Sequence, residues 1–272
     1  MDVVYAAILG VVLGISEFLP VSSVGHSLVL SSLLSFPPTQ AARDTFAVFI
    51  EGGAWLAVLL YFSRDLLGQA RKLSTDPQTR RLWLNVFIAF VPVGVVGLIL
   101  HDWVETVLFS PLVVGISLIA GGLAFLWVER RGREQPPTTV RVEDMSWRQA
   151  LWVGIAQIAA LIPGASRSGA TIVGGLLVGL DRNVSTLFTF YLFLPTLAAA
   201  SGYEIFSAVR KGTIDPSLLP YFLLAACVGF LVSLVTMRWL LGYIRGHTFR
   251  PFGVYRIIVG DIVIALVLAG RL

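Results

Sequence analysis

Two stretches of this chain put charged and hydroxylic side chains in the middle of sequence otherwise apolar enough to cross a bilayer. They are Glu17-Phe18-Leu19-Pro20-Val21-Ser22-Ser23-Val24-Gly25-His26 and Pro163-Gly164-Ala165-Ser166-Arg167-Ser168-Gly169-Ala170-Thr171. A charge at the centre of a membrane helix costs about 2.5 to 3.5 kcal/mol on insertion scales, so such groups need a purpose. Each stretch also carries a Pro and small residues that stop a helix, and backbone freed at membrane depth is tolerated only against protein or a watery cavity. The pair therefore predicts two re-entrant helix-loop-helix hairpins, over about 3–35 and 148–180, whose tips form the halves of one buried polar site.

Composition supports the membrane setting. With 56% hydrophobic and 13% charged residues among 272 and a mean hydropathy of +0.83, the chain is too apolar for a soluble domain of this length. Its charge of +4 reads as basic membrane loops, and nucleic-acid binding is excluded as a function class. The single cysteine, Cys227, lies in an apolar run and reads as a small packing residue. The start, Met1-Asp2-Val3-Val4, lacks a basic n-region, so the first apolar segment is expected to be retained.

Beyond the hairpins, apolar runs predict spanning helices at about 46–63, 83–100, 111–128, 184–208, 218–241 and 251–270. Between them lie a polar connection at Pro37 to Asp44, a basic loop at 64–82, an acidic turn at His101 to Glu105, and a hydrophilic loop at about 129–148. The expected fold is all-α and integral to the membrane: six spanning helices plus two re-entrant hairpins in one membrane domain. Its halves cover about 1–128 and 147–272, joined by a cytoplasmic loop at 129–146. An odd number of crossings per half makes them an inverted repeat, and Leu19-Pro20-Val21-Ser22-Ser23 pairs loosely with Ile162-Pro163-Gly164-Ala165-Ser166. With both termini outside, fourteen basic residues fall inside: Arg64, Arg71, Lys72, Arg80, Arg81, Arg130, Arg131, Arg133, Arg141, Arg148, Arg182, Arg238, Arg245 and Arg250. Only Arg43, Arg210, Lys211 and Arg271 fall outside, and Arg167 and Arg256 are intramembrane. That bias selects the N-out, C-out orientation. The seven tryptophans, mostly near span ends, read as interface anchors.

Arg167, between Ser166 and Ser168 and ahead of a helix expected to begin near Gly169, offers a guanidinium fork, hydroxyls and a helix N-terminus, a combination suited to phosphate. The competing reading is an arginine that neutralises a buried carboxylate to hold the halves together. Glu17, Ser23 and His26 could supply proton transfer and a nucleophile for cleaving a phosphoanhydride. The competing reading has Ser22 and Ser23 capping a half-helix and His26 packed; for Ser22 the cap is preferred.

The segments Gly10 to His26 and Pro163 to Thr171 resemble the two signature motifs of the undecaprenyl pyrophosphate phosphatase family of the bacitracin-resistance type. The resemblance covers nearly the whole chain, including Trp147-Arg148-Gln149-Ala150 and Pro251-Phe252-Gly253-Val254-Tyr255-Arg256. It implies a membrane phosphatase that removes the terminal phosphate of a C55 prenyl diphosphate and regenerates the monophosphate carrier for cell-wall synthesis. It further implies Ser23 as nucleophile, Glu17 as the second acid of an E/Q-x-x-x-E element, His26 as a catalytic residue and Arg167 as the diphosphate clamp. Ser22, Gly164, Ser166, Ser168 and Thr171 would belong to the phosphate pocket. A divalent cation, Mg2+ or Ca2+, is implied, with Glu17 as its partner here. The setting implied is the inner membrane, with an externally opening site and a homodimer as one form.

Two positions depart from that pattern. Leu13 occupies the first acidic or amide position, and Val24 stands where a hydroxyl is common. Glu51, in Phe49-Ile50-Glu51-Gly52-Gly53, is expected either to restore the missing carboxylate from a neighbouring helix or to pair structurally with Arg167 or Arg256. Arg256 is expected to serve structure. A transporter or flippase for the same lipid is the alternative function, since broken helices and inverted repeats suit it equally.

Overall fold

The computed structural model describes residues 2–212 and 214–272, without the side chains of 101, 102, 105, 133 and 134. The acidic turn's His101, Asp102 and Glu105 and the loop charges Arg133 and Glu134 thus lie outside the described side chains. Eleven α-helices run in order among the described residues: α1 Asp2–Phe18, α2 Ser23–Leu34, α3 Gln40–Tyr61, α4 Ser63–Lys72, α5 Pro77–Trp103, α6 Pro111–Glu134, α7 Trp147–Gln157, α8 Arg167–Leu177, α9 Arg182–Lys211, α10 Leu219–Tyr243 and α11 Arg250–Leu268. Among the described residues no strand forms beyond an isolated bridge between Thr139 and Leu180. Six helices among the described residues are long and apolar enough to cross a membrane: α3, α5, α6, α9, α10 and α11.

Four of the spans, α3, α5, α6 and α9, run longer than expected from sequence because amphipathic ends continue the helices, while α10 and α11 keep their expected bounds to within two residues. The expected basic loop at 64–82 is instead α4 and the start of α5, and the polar Gln40 to Asp44 already belongs to α3. The hydrophilic 129–148 segment opens as the last turns of α6, where Glu129 is buried, takes two bonds from Arg182 at 2.5 and 2.9 Å and accepts the Phe249 N–H at 2.8 Å. One carboxylate thereby ties the ends of α6, α9 and α11. Cys227 is exposed on α10 rather than packed. Trp103, Trp127, Trp147, Trp152 and Trp239 are about half exposed, whereas Trp55 donates to the Leu194 carbonyl and Trp83 to Gln69 inside the fold.

Close packing of small residues sets the helix pairs. A Cβ on Gly53 of α3 would stand 2.4 Å from the Ala226 carbonyl oxygen of α10, and one on Gly10 of α1 would stand 2.7 Å from that of Ala225. A Cβ on Gly154 of α7 would meet the Ala89 oxygen of α5 at 2.3 Å, and Gly122 and Gly253 press α6 onto α11. Lipid tails are as apolar as leucine, so helices associate in a membrane through such backbone approach rather than by escaping water. The leading helix of each broken pair therefore lies against a spanning helix from the other half of the chain: α1 on α10, α7 on α5.

The two breaks have the same local geometry. Ser22 and Ser166 both adopt positive φ, 75° and 72°, and each hydroxyl caps the following helix by accepting from the glycine three residues on, Gly25 N at 3.2 Å and Gly169 N at 3.1 Å. This sets Ser22 against Ser166, one residue away from the pairing of Ser23 with Ser166 read from sequence. It also starts α8 at Arg167, two residues ahead of the expected Gly169.

Candidate functional site

Where a helix breaks inside a membrane its last carbonyls lose their partners, and no water is at hand to replace them. Here one guanidinium does so. Arg256 of α11 is fully buried and donates to Pro20 O at 3.1 Å in the first break, to Gly164 O and Ala165 O at 3.1 and 3.0 Å in the second, and to Ser117 O and Leu118 O of α6 at 3.2 and 3.4 Å. Arginine suits this task because its five N–H donors lie in a rigid plane. Gly121 makes room for it: a Cβ there would stand 2.1 Å from Nη2. Ser168 adds a second tie, its hydroxyl lying 3.2 and 3.4 Å from the Leu19 and Glu17 carbonyls and 3.2 Å from Ser166 Oγ.

With the breaks locked together, Arg167 at the start of α8 faces the end of α1. Its Nη1 is 3.4 Å from Glu17 Oε1 and its Nη2 is 3.6 Å from Glu51 Oε1 on α3, so the guanidinium is bracketed by two carboxylates. Ser201 of α9 donates to the other oxygen of Glu51 at 3.4 Å. The Phe193 ring lies under the guanidinium, 5.9 Å from Cζ, and Phe193 in turn packs against Phe18 and Phe190. Glu17 is buried, while Arg167 and Glu51 are each partly open. Counted formally, the trio carries one net negative charge.

A pocket beside this trio is lined by Leu13, Glu17, Ser23, Val24 and Glu51, together with Ser27 and Ala54. It merges, through Val24, Ser27 and Glu51, with a 260 Å3 cavity that reaches Arg167 and opens past Gln40, Arg43, Asp44 and Glu204. Leu13, Ser23 and Glu51 therefore share one wall system. Glu51 stands beside Leu13 and also pairs with Arg167, so both expectations for it describe the same position.

Other expected residues face elsewhere. His26 points toward α11: its Nδ1 is 2.7 Å from the Ser22 carbonyl and its Nε2 2.7 Å from Tyr255 Oη, with the two rings stacked. Because a carbonyl only accepts, the proton sits on Nδ1 and Nε2 receives the Tyr255 hydroxyl. Thr171 is fully buried behind the site, bonded to the Arg167 and Ser168 carbonyls and accepting from Thr189 at 2.8 Å. Gly164 adopts φ +92°, and its carbonyl goes to Arg256. Ser22 and Ser166 spend their hydroxyls as caps. Sequence reasoning passed over Tyr255, Ser201 and Glu204; the tyrosine was visible only as part of a motif, and the other two sit on a helix whose approach to α3 no local pattern discloses.

A helical protein crossing the membrane several times, with an arginine and two carboxylates gathered where two broken helices meet, defines a class of integral-membrane proteins built to handle a charged group at depth. Residues 6–262 match the family described as bacitracin resistance protein BacA, and the chain belongs to it. It is 44% identical over 266 residues to undecaprenyl-diphosphatase 2 of Rhodospirillum rubrum, covering 97% of this chain and 95% of that protein. It is 42% identical to the undecaprenyl-diphosphatase of Albidiferax ferrireducens, covering 99% and 98% of the two chains. Identity to that of Ectopseudomonas mendocina is also 42%, covering 96% and 92%.

Proposed function

We propose that this protein hydrolyses undecaprenyl diphosphate to the monophosphate and inorganic phosphate, recycling a carrier lipid for cell-wall synthesis. One observation carries the reading: Arg167 is held between Glu17 and Glu51, and Ser23 lines the same pocket as both carboxylates. The relatives are named for this reaction and not for transport, which sets the transporter reading aside.

On this reading the terminal phosphate enters from the 260 Å3 cavity and displaces the carboxylates as partner of the guanidinium, whose planar fork suits phosphoryl oxygens. Ser23 Oγ attacks the terminal phosphorus, the lipid monophosphate leaves, and water then releases the phosphate. The base is Glu17 or Glu51, because both line the pocket with Ser23 while both nitrogens of His26 are engaged by Ser22 and Tyr255. His26 serves by fixing the first turn of α2, from which Ser23 projects. A trio of net charge −1 is a poor host for a further polyanion, so binding needs added positive charge. The divalent cation expected of the family, Mg2+ or Ca2+, would supply it: such ions are held by one or two carboxylates plus substrate phosphates, and Glu17 and Glu51 fit as that pair.

The matching caps at Ser22 and Ser166 support re-entrant hairpins α1–α2 and α7–α8 as counterparts in an inverted repeat, with halves of about 1–128 and 147–272. The bias of basic residues supports an inner-membrane orientation with both termini outside. The cavity mouth at Gln40, Arg43 and Glu204 lies toward the C-terminal end of α9, which carries Arg210 and Lys211, and in that orientation the site would open externally.

Purified protein in detergent is expected to release phosphate from the C55 diphosphate, with a loss of at least about 100-fold for Ser23→Ala and for Arg167→Ala. Normal turnover by both variants would overturn the assignment.

A further inference from the structure

On the flank of Arg167 away from Ser23, a second cavity of 310 Å3 runs between α5, the 3-10 turn Ile158–Leu161 and α9. Its walls are Phe90, Val93, Gly94 and Gly97 of α5, Leu161, and Ala199 of α9, and its inner end is Arg167 with Gln157 and Thr196. Arg167 and Glu204 line both this groove and the polar cavity, so the two spaces meet at the guanidinium. Leu98 on the rim is 73% exposed on a membrane-spanning helix, which opens the groove sideways toward lipid.

Resting on the diphosphatase reading, we propose that this groove seats the first isoprene units of the polyprenyl chain, with the diphosphate across Arg167, its terminal phosphate on the Ser23 side and its lipid-proximal phosphate on the groove side.

The glycines argue for an occupant. At Gly53 and Gly154 an added Cβ would collide with a neighbouring backbone, so helix packing demands glycine there. At Gly94 and Gly97 it would meet only side-chain carbons, the Phe90 ring and Leu161, at an ordinary 3.5 Å. Packing therefore does not require those two glycines, and their effect is to keep the groove hollow beside the small Ala199 and Ala200. Gln157 argues that the inner end takes a polar group. It is 1% exposed, lines the groove, and its Oε1 has no partner among the described residues. An acceptor left alone in apolar surroundings costs about 1 to 3 kcal/mol, and a protonated phosphate oxygen or a water attending the phosphate would satisfy it.

The cap register gives the same division. Setting Ser22 against Ser166 pairs Ser23 with Arg167, Leu13 with Gln157 and Glu17 with Leu161. The equivalent pockets of the two halves thus differ in kind: the first carries Glu17, Glu51 and a serine hydroxyl, the second a mainly apolar channel that ends at Gln157, Thr196 and the clamp, with Glu204 where it meets the polar cavity. A diphosphate whose two phosphorus atoms straddle Arg167 would place its terminal phosphate in the first and its chain in the second.

Because the chain leaves one apolar medium for another, the groove gains little from burial and acts through shape and packing. Its signature is selectivity by chain length. The kcat/KM ratio of C55 diphosphate to a C5 diphosphate, whose single isoprene unit leaves most of the groove empty, is expected to fall about tenfold in Gly97→Leu and in Ala199→Leu, which fill the groove from opposite walls. An unchanged ratio in both variants, with wild-type protein active on both substrates, would overturn the groove and leave the diphosphatase reading intact. Wild-type protein inactive on both substrates would instead refute that reading. A measurement independent of turnover and of variant folding uses wild-type protein in nanodiscs with a prenyl monophosphate carrying a benzophenone on its third isoprene unit. Crosslinks are expected on residues 90–98 and 196–204, suppressed by unlabelled prenyl phosphate. Crosslinks confined to α2, α3 or α6, or suppressed equally by phosphatidylglycerol, would overturn the proposal.

Discussion

At the scale of single residues, the site turns on how Leu13, apolar where the family resemblance implies an acid or an amide, sits beside the carboxylate of Glu51. Leu13 is buried on α1 at the wall of the pocket that holds Glu17, Ser23 and Glu51. If Glu51 supplies the chemistry absent at Leu13, the two positions are coupled and their effects will not add. Glu51→Gln alone is expected to lower phosphate release about 100-fold, and the double variant Leu13→Glu/Glu51→Gln to recover at least about tenfold of it. No recovery, in a double variant with wild-type thermal stability, would show that Glu51 acts only as a structural partner of Arg167. A separate expectation concerns the clamp: Arg167→Lys keeps a charge but loses the planar fork between Glu17 and Glu51, so it should stay within about tenfold of Arg167→Ala in kcat/KM. The residues of this cluster were legible because charge in apolar sequence is conspicuous. The orientation of His26 was not, since the distance from His26 to Tyr255 is a matter of how α2 meets α11, separated by nearly the whole chain.

At the scale of elements, the helix breaks are stable only because donors from distant helices meet their carbonyls. Arg256 satisfies Pro20, Gly164 and Ala165 together, and substitution by methionine would strand all three in the interior. The expected cost is about 3 kcal/mol or more, read as a lowered thermal midpoint in detergent, with Arg256→Lys falling between wild type and Arg256→Met because an ammonium cannot reach five carbonyls. An Arg256→Met protein with unchanged stability would refute the stapling role. Gly121→Val should reproduce the loss without touching a charge, because its side chain would occupy the place of the guanidinium. The breaks themselves were readable from Pro20, Pro163 and their serines. Their register was not: prolines suggested Ser23 opposite Ser166, whereas the backbone repeats the cap, and a cap is set by φ and by the glycine three residues on. The helical character of 64–82 was likewise hidden, since polar composition alone does not separate a solvated helix such as α4 from a loop.

At the scale of the whole molecule, orientation determines from which side the diphosphate can enter. Spanning helices were legible from apolar runs, but their lengths were not, because charged end turns such as Arg182 and Arg210-Lys211 of α9 continue the helix beyond the hydrophobic window. At 1.5 Å per residue the 30 residues of α9 reach about 45 Å, past the hydrocarbon thickness on both sides, so its two ends are markers of opposite faces. Cys227 is the single cysteine, and a Cys227→Ser protein gives a background for placing one thiol at a time. With a membrane-impermeant maleimide applied to intact cells whose outer envelope has been made permeable, cysteine at Lys211 or Arg271 is expected to react. Cysteine at Arg80 or Arg245 is expected to react only after lysis. Full reversal of that pattern would place the cavity mouth at Gln40, Arg43 and Glu204 on the cytoplasmic face and require the substrate to arrive from inside. Reaction of positions 80 and 211 from the same side would break the count of crossings itself, because α5 begins at the first and α9 ends at the second, and on this topology both helices run from inside to outside. The predicted pattern matters chemically as well as topologically: it puts the 260 Å3 cavity, the carboxylate pair and the Gly94–Gly97 face of α5 in the outer half of the bundle, where a diphosphate held in the outer leaflet can reach Arg167 with its chain still in lipid.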